Sequence, residues 1–382
     1  MSQGVTMIAI FDDVKYYGEG WTLSFIVFFG LCANVFAIFV IRDSELNLIQ
    51  NFSRLLQFQA ACDMGYLITN VPAFVFTGFG FSFAANEVSY FKYSRIMIPL
   101  LHIFLTGSSY TTVALAVERL GAMKIPNNQS RRGQLGQYPL IGVLSLIICV
   151  SVGYNVPRFF DTEIAFHKET TLKRINNTGN PVVDHDVFQV DVPHLDHSQL
   201  FPLSYFIYYK QVGAFILTSL TPFMALTVLN VLISRKLEIF RRVSIRLGRE
   251  QRKTVRATAS LMAIVFLFLA CHSVKLVVNG YQVIQVLSVG EQVHTWHAWL
   301  EHSTTISHLL LAINSSINLL LYCACDRHFW VIAQKRVKLL FVWPITLRRE
   351  FASFECVFTR NLEIQENYIG SKETMQTMVT EL

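Results

Sequence analysis

Long stretches without a charged side chain are the feature that most limits how this chain can fold. Asp, Glu, Lys and Arg are absent from 21–41, 96–117, 138–157, 211–233 and 302–325. A helix needs about 20 apolar residues to cross the hydrocarbon core of a bilayer. Two more apolar stretches, 55–80 and 257–287, contain one charged residue each, Asp63 and Lys275. Because backbone amides cannot stay unpaired in lipid, the pattern predicts an all-α membrane protein, a seven-transmembrane helix bundle.

The placement of Lys and Arg predicts the orientation of this bundle, since inner connections are enriched in them. With the N-terminus outside, 23 of the 32 Lys and Arg residues fall on the inner side. This orientation predicts an extracellular N-terminus (1–20), the bundle (21–325), an amphipathic helix on the inner membrane surface (326–341) and a cytoplasmic tail (342–382). The net charge of +6 then belongs to the inner rim. It does not indicate nucleic-acid binding.

Ionisable residues inside membrane spans are unfavourable and therefore indicate functional sites. Asp63 is the clearest case, and polar residues of other spans could meet it at similar depth: Asn34, Ser108, Asn314 and Asn318. A carboxylate among hydroxyl and amide oxygens suits a sodium ion or a proton. The alternative is an interhelical hydrogen-bond cluster that holds the bundle together. The sequence predicts no other metal and no cofactor.

Several short motifs keep a fixed order along the spans. They are Gly30 with Asn34, the run 59–63, the run 118–120, Pro222, Phe268 with Cys271 and His272, and the run 314–322. Together they resemble the rhodopsin-like G-protein-coupled receptors. The resemblance implies a multi-pass plasma-membrane receptor, not an enzyme, that signals through a heterotrimeric G protein when its cytoplasmic face opens.

The resemblance also implies roles for individual residues. Arg119 would engage the G protein, and Glu118 would restrain Arg119 at rest. Tyr322 would swing inward in the active state, and the same switch would include Phe268, His272 and Asn318. The family's allosteric sodium pocket would consist of Asn34, Asp63, Ser108, Asn314 and Asn318.

Some positions depart from the family pattern. Ser94 stands where the family has the cysteine that tethers the second outer loop, so the usual disulfide is absent. Val274 and Leu319 replace prolines of the sixth and seventh spans. Since proline frees a backbone carbonyl and bends a helix, these replacements predict missing hinges and inefficient coupling.

A segment at the outer end of the fourth span narrows the resemblance. Asn155, Pro157, Arg158, Phe159 and Phe160 are similar to the invertebrate FMRFamide-type neuropeptide receptors. This similarity implies an extracellular peptide ligand that ends in Arg-Phe-amide.

The guanidinium of such a peptide calls for a bidentate carboxylate contact. The sequence offers Asp161, Glu163 and Glu291 as candidates. Lys275 is expected either to pair with a ligand carbonyl or a loop carboxylate, or to extend to the outer interface.

Modification and partner motifs complete the predictions. Asn176 is a glycosylation acceptor on the outer side. Thr374, Thr377 and Thr380 form a phosphorylation pattern for arrestin, and the C-terminal residues suit a PDZ protein.

Two other functions fit the sequence. A divergent chemosensory receptor of the same fold would bind a small molecule and would tolerate the altered switch residues. A seven-span transporter or channel would use Asp63 as an ion or proton site.

Overall fold

The computed structural model describes residues 14–43, 50–76, 79, 87–123, 140–174, 185–197, 200–202, 204–244, 249–289, 298–325 and 329–338. The chain divides into two compact units, Met1–Arg327 and His328–Leu382. In the second unit, residues 329–338 are helical. This helix lies within the stretch 326–341 for which a surface helix was predicted, and the cytoplasmic tail lies outside the described residues.

The first unit contains eight α-helices and one hairpin within its described residues. In chain order the elements are α1 (Leu23–Ile41, after a π-helical turn Tyr16–Thr22), α2 (Gln50–Asn70, continued by a π-helical turn Val71–Val75), α3 (Glu87–Ala122), α4 (Leu140–Asn155, followed by a 3-10 turn Val156–Phe159), β1 (Thr162–Arg174), β2 (His185–His197), α5 (Thr221–Ser244, after π-helical turns Tyr205–Gly213 and Phe215–Leu220), α6 (Arg249–Val289), α7 (Ala298–Ser316) and α8 (Asn318–Cys325).

Five helical segments within the described residues are long and apolar enough to cross a membrane. They are Tyr16–Ile41, Arg95–Ala122, Leu140–Phe159, Tyr205–Ile239 and Leu261–Ser288. The bent pair His302–Ser316 and Asn318–Ala324 makes a sixth if it is counted as one span. Helix α2, where the second span was predicted, carries more polar residues and is not among them. The chain is therefore a helical membrane protein, and its seventh span stays a prediction.

The helices close into one bundle. Helix α1 packs against α2 and α7, α2 packs along α3, α3 contacts α4 and α5, and α6 lies between α5 and α7. A cluster of buried apolar side chains joins α1, α2, α3 and α7, with Leu23, Tyr66, Leu101 and Leu311 among its members. This packing brings the polar residues of separate helices to a common interior.

The outward surface of the bundle is apolar. Its exposed large side chains include Phe28, Phe29, Ile141, Phe266 and Val277. Apolar patches of this extent are rare on water-soluble monomers, and lipid is the solvent that suits them. This surface agrees with the membrane assignment made from helix length and composition.

The first helical segment begins earlier than the predicted boundary at residue 21. Glu19 interrupts the apolar run in the sequence, yet it is buried in the bundle. Its Oε1 accepts a hydrogen bond from Thr305 at 3.1 Å and lies 3.3 Å from Nδ1 of His308. Because both partners are on α7, tertiary contacts satisfy a carboxylate that the sequence alone would place in water.

The connection between α4 and α5 contains a sheet, which the sequence analysis did not predict. Strands β1 and β2 form a two-stranded antiparallel sheet, in which Thr162 pairs with His197 and Arg174 with His185. Strand β1 contains Thr, Ile and Phe, and β2 contains Val and Phe, which favour extended backbone. The sequence analysis interpreted this connection as a loop because of its many acidic residues, most of which belong to the strands.

Candidate functional site

Asp63 lies at the centre of the bundle and is fully buried. Its Oδ1 accepts a hydrogen bond from Ser108 of α3 at 2.6 Å, and its Oδ2 accepts one from Asn318 of α8 at 2.9 Å. Ser315 of α7 also donates to this carboxylate. The carboxylate therefore connects α2 with α3, α7 and α8, and it brings together the predicted residues Ser108 and Asn318.

Asn34 contributes to the same region by a different route. Its Nδ2 donates to the backbone oxygens of Gly30 at 2.9 Å and Ser315 at 2.8 Å. This bridge fixes α1 to α7 beside the Asp63 group. Asn314 is also buried. We call Asn34, Asp63, Ser108, Ser315 and Asn318 the polar centre.

The polar centre contains the hard oxygen donors that a sodium ion takes. The carboxylate of Asp63 and the hydroxyl groups of Ser108 and Ser315 supply them. A cluster of three or more His, Cys, Asp or Glu side chains that could hold a metal ion does not occur among the described residues. The oxygen atoms of Asp63, Ser108 and Ser315 are the groups of this centre that could hold a cation.

The seventh span breaks at the polar centre. Helices α7 and α8 meet at an angle of 51° around Ile317, although Leu319 replaces the proline of the family pattern. The backbone N–H groups of Ile317 and Leu321 still donate to Ile313 and Ile317 at 3.0 and 3.1 Å. The expectation of a missing hinge is therefore wrong for this span. The side chain of Asn318, the first residue after the bend, donates to Asp63.

The sixth span agrees with the expectation that a helix without its proline lacks a break. Helix α6 is continuous from Arg249 to Val289, across the position of Val274. Within it, the rings of Phe268 and His272 stack at 3.7 Å between centroids and 15° between planes. Both rings are buried, so the structure brings these two predicted switch residues together.

The inner end of α3 carries the predicted coupling residues. Glu118 and Arg119 are both buried. The guanidinium of Arg119 lies over the ring of Phe52 on α2, 3.2 Å from its centroid. Glu118 and Tyr322 are near enough for electrostatic interaction with Arg119. Arg119 is thus covered by an aromatic ring that the sequence analysis did not assign to the switch.

A cavity lies between α2, α3, α6, α7 and the two π-helical turns that precede α5. Its volume is about 290 Å³. Apolar groups such as Leu101, Phe215 and Leu311 line one part of it, and a set of basic groups lines another: His102, Arg158, Lys210, Lys275 and His308. A cavity of this size, with apolar walls and a few polar groups, is typical of a ligand site.

Of the predicted subgroup segment, Arg158 lines this cavity. Asn155 donates to Ser151 at 2.8 Å, and the N–H of Phe160 donates to Pro157 at 3.0 Å. Nη2 of Arg158 donates to the backbone oxygen of Lys210 at 3.4 Å. These contacts close the end of α4 and hold Arg158 toward α5.

Two further contacts attach this part of the chain to its neighbours. Nε of Arg95 on α3 donates to the backbone oxygen of Phe159 at 3.0 Å. Asp161 forms an ion pair with Lys210 at 3.0 Å. Arg95 follows Ser94 directly, so a hydrogen bond joins α3 to the start of the second outer loop near the place where the family has its disulfide.

Several predicted residues cannot be compared with the structure. Asn176, Glu291, Thr374, Thr377 and Thr380 lie outside the described residues, and Glu163 is placed on β1 by its backbone only. Conversely, the sequence analysis missed His102, Lys210, His308, Glu19 and Phe52. Their only signal was an ionisable or aromatic residue near the end of a span, which membrane anchors also produce.

Comparison with known proteins gives one informative match. No family model matches the chain. A protein described as an FMRFamide receptor from Drosophila melanogaster is 24% identical over 345 residues, which are 89% of this chain and 56% of that protein. The chain thus spans little more than half the length of this relative. The chain is a helical membrane protein distantly related to an FMRFamide receptor.

Proposed function

We propose that the chain is a G-protein-coupled receptor for an extracellular neuropeptide, in the plasma membrane, with the N-terminus outside and with α2 as the second of its seven spans. The ligand class we propose is an FMRFamide-like peptide ending in Arg-Phe-amide. The observation that carries the proposal is the polar centre, which lies between the outer cavity and the buried Arg119. The distant relationship to an FMRFamide receptor supports it.

The proposed mechanism is a shift between two arrangements of the bundle. A ligand changes the populations only through its different affinity for the two arrangements. Contacts at the outer cavity would reach the polar centre through α3 and α7, which contribute to both. Loss of the Asn318 contact with Asp63 would free α8, and Arg119 would leave the ring of Phe52 to bind the G protein.

A sodium ion fits this mechanism as a ligand of the resting arrangement. The residues that would hold it are Asp63, Ser108 and Ser315, which supply oxygen atoms. Sodium would stabilise the closed polar centre and so oppose agonist binding. We expect Asp63→Asn to remove any effect of sodium on agonist affinity, and a persistent effect would contradict this part of the proposal.

The experiment that tests the function is a calcium assay in cells that express the tagged chain with a promiscuous G protein. A panel of Arg-Phe-amide peptides is applied to the parent chain, to Arg119→Ala and to Arg42→Ala as a matched control. Arg42 is an exposed arginine that bonds Gln57 at 3.2 Å. We expect a response at nanomolar peptide that Arg119→Ala loses while peptide binding and surface expression persist. Unchanged signalling by Arg119→Ala would contradict the mechanism.

The same cells separate the alternatives. Peptide binding without a calcium response would indicate a coupling-defective receptor. Silence without peptide binding would favour a chemosensory receptor for a small molecule. A ligand-dependent current without any G protein would indicate a transporter or channel.

Residues outside the described part add smaller proposals. Asn176 would be glycosylated. The glycan would add mass to the parent chain, and Asn176→Gln should lack this added mass. Phosphorylation of Thr374, Thr377 and Thr380 would recruit arrestin, and the C-terminal residues would bind a PDZ protein. Deletion of the last ten residues should abolish both interactions, and their persistence would exclude this assignment.

A further inference from the structure

Lys275 carries a buried amino group that no residue of the described chain satisfies. It lies on α6 and lines the outer cavity, and only 8% of its surface is exposed. Its Nζ has no hydrogen-bond partner among the described residues. An unpaired charge in a poorly hydrated position destabilises a protein unless a counter-charge is supplied.

The neighbours of Lys275 increase the positive charge. Electrostatic interactions connect Lys275 with Arg158, and connect His102 with both of them. Arg158 is itself buried, and its Nε has no hydrogen-bond partner within the described residues. Two basic groups without full pairing therefore face the same space.

The carboxylates close to the cavity contact basic side chains other than Lys275. Asp161 pairs with Lys210 at 3.0 Å, and Glu19 contacts His308 at 3.3 Å. Among the described residues that line the cavity, none carries a carboxylate. The excess of positive charge at Lys275 is thus not balanced by the described part of the chain.

We propose that this cavity binds an anionic group of the ligand, a carboxylate or a sulfate, with Lys275 as its main partner and Arg158 as the second. Charge-assisted hydrogen bonds to such a group would satisfy both buried cations. The cavity volume of about 290 Å³ admits one acidic side chain rather than a whole peptide. The inference rests on the proposed receptor function and specifies the chemistry of its ligand.

This proposal changes where the arginine of an Arg-Phe-amide peptide binds. A guanidinium in the cavity would be repelled by Lys275 and Arg158. The peptide arginine would therefore bind outside the cavity, while an acidic residue of the peptide enters it.

A thermal unfolding experiment tests the anion site without knowledge of the agonist. The purified full chain in detergent is heated in sodium sulfate and in sodium chloride of equal ionic strength. Sulfate also stabilises proteins in general, so the comparison is made between variants. The variants are Lys275→Gln, Lys275→Arg and, as a matched control on an exposed lysine, Lys15→Gln.

We expect sulfate to raise the melting temperature of the parent chain, Lys275→Arg and Lys15→Gln by several degrees more than that of Lys275→Gln. An equal rise in all four proteins would overturn the proposal. Because this experiment needs no G protein, its result is independent of whether the chain signals.

Peptide pairs then connect the site to the ligand. Each pair ends in Arg-Phe-amide and differs at one upstream residue, which is Asp in one peptide and Asn in the other. We expect the Asp peptide to bind the parent chain about tenfold more tightly, and the preference to vanish in Lys275→Gln. Binding with equal affinity would overturn the proposal while leaving a peptide receptor intact. Absence of binding by every peptide would instead contradict the proposed function.

Discussion

The polar centre and the outer cavity differ in how their buried polar groups are satisfied. At the polar centre, both oxygens of Asp63 accept hydrogen bonds from side chains of other helices. In the cavity, Lys275 and one nitrogen of Arg158 have no such partner among the described residues. The polar centre therefore contributes to the stability of the bundle. The cavity keeps unsatisfied groups that a ligand can pair with, which is the usual conflict between function and stability.

The largest expected effect comes from removing Asp63, the hydrogen-bond acceptor of the polar centre. In Asp63→Ala, Ser108 and Asn318 each lose a buried partner, and each loss costs about 1–3 kcal/mol. We expect a large drop in melting temperature of the purified chain, with a smaller drop in Asp63→Asn, which keeps one oxygen acceptor. Equal stability of Asp63→Ala and the parent chain would show that the polar centre does not hold the bundle.

Removal of the unpaired group in the cavity should increase the stability of the chain. In Lys275→Met an unpaired amino group is replaced by an apolar side chain of similar length, so the ligand-free chain should gain about 1–3 kcal/mol. Thermal unfolding without added anions measures this effect. A decrease in stability would mean that Lys275 already has a partner, and the contrast between the two regions would disappear.

Loss of the ion pair beside the cavity should give the smallest effect. Asp161→Asn breaks the ion pair with Lys210, whose side chain is 31% exposed. Partly exposed pairs contribute about 1 kcal/mol or less. We expect a small fall in melting temperature and a larger change in proteolysis at the connection that begins after α4. Lys210→Arg keeps the charge and serves as the control, and cleavage at equal rates would contradict an anchoring role.

Much of the fold followed from the sequence, because the bilayer allows few solutions. The uncharged stretches predicted most of the helices that are long enough to cross a membrane. The ends of the elements were less predictable. The sequence analysis began the first span after Glu19 because Glu19 is charged. In the structure its partners on α7 hold Glu19 in the interior of the bundle. The β1–β2 hairpin was missed because strand propensity in an acidic connection is weaker evidence than apolar length.

Some residues of the candidate site could likewise be predicted from the sequence, and others could not. Asp63, Ser108 and Asn318 could be grouped because each is a polar residue within an apolar span, and such residues must meet one another. Phe52 and His308 could not be assigned, since aromatic and basic residues are common near the ends of spans. The bend between α7 and α8 could not be predicted from the sequence, because no proline marks it and the chain nevertheless bends by 51° there.

The sequence by itself determined that the chain is a helical membrane protein with a carboxylate inside an apolar stretch, and it predicted a basic inner side. These properties depend on the length of the apolar stretches and on the positions of charged residues along the chain. Both can be seen directly in the sequence. Only the tertiary structure decided which charges are paired. Asp161 with Lys210, Glu19 with His308, and Lys275 with none of the described residues are arrangements of distant residues. The packing of the helices, which determines these distances, is what selects the groups left for a ligand.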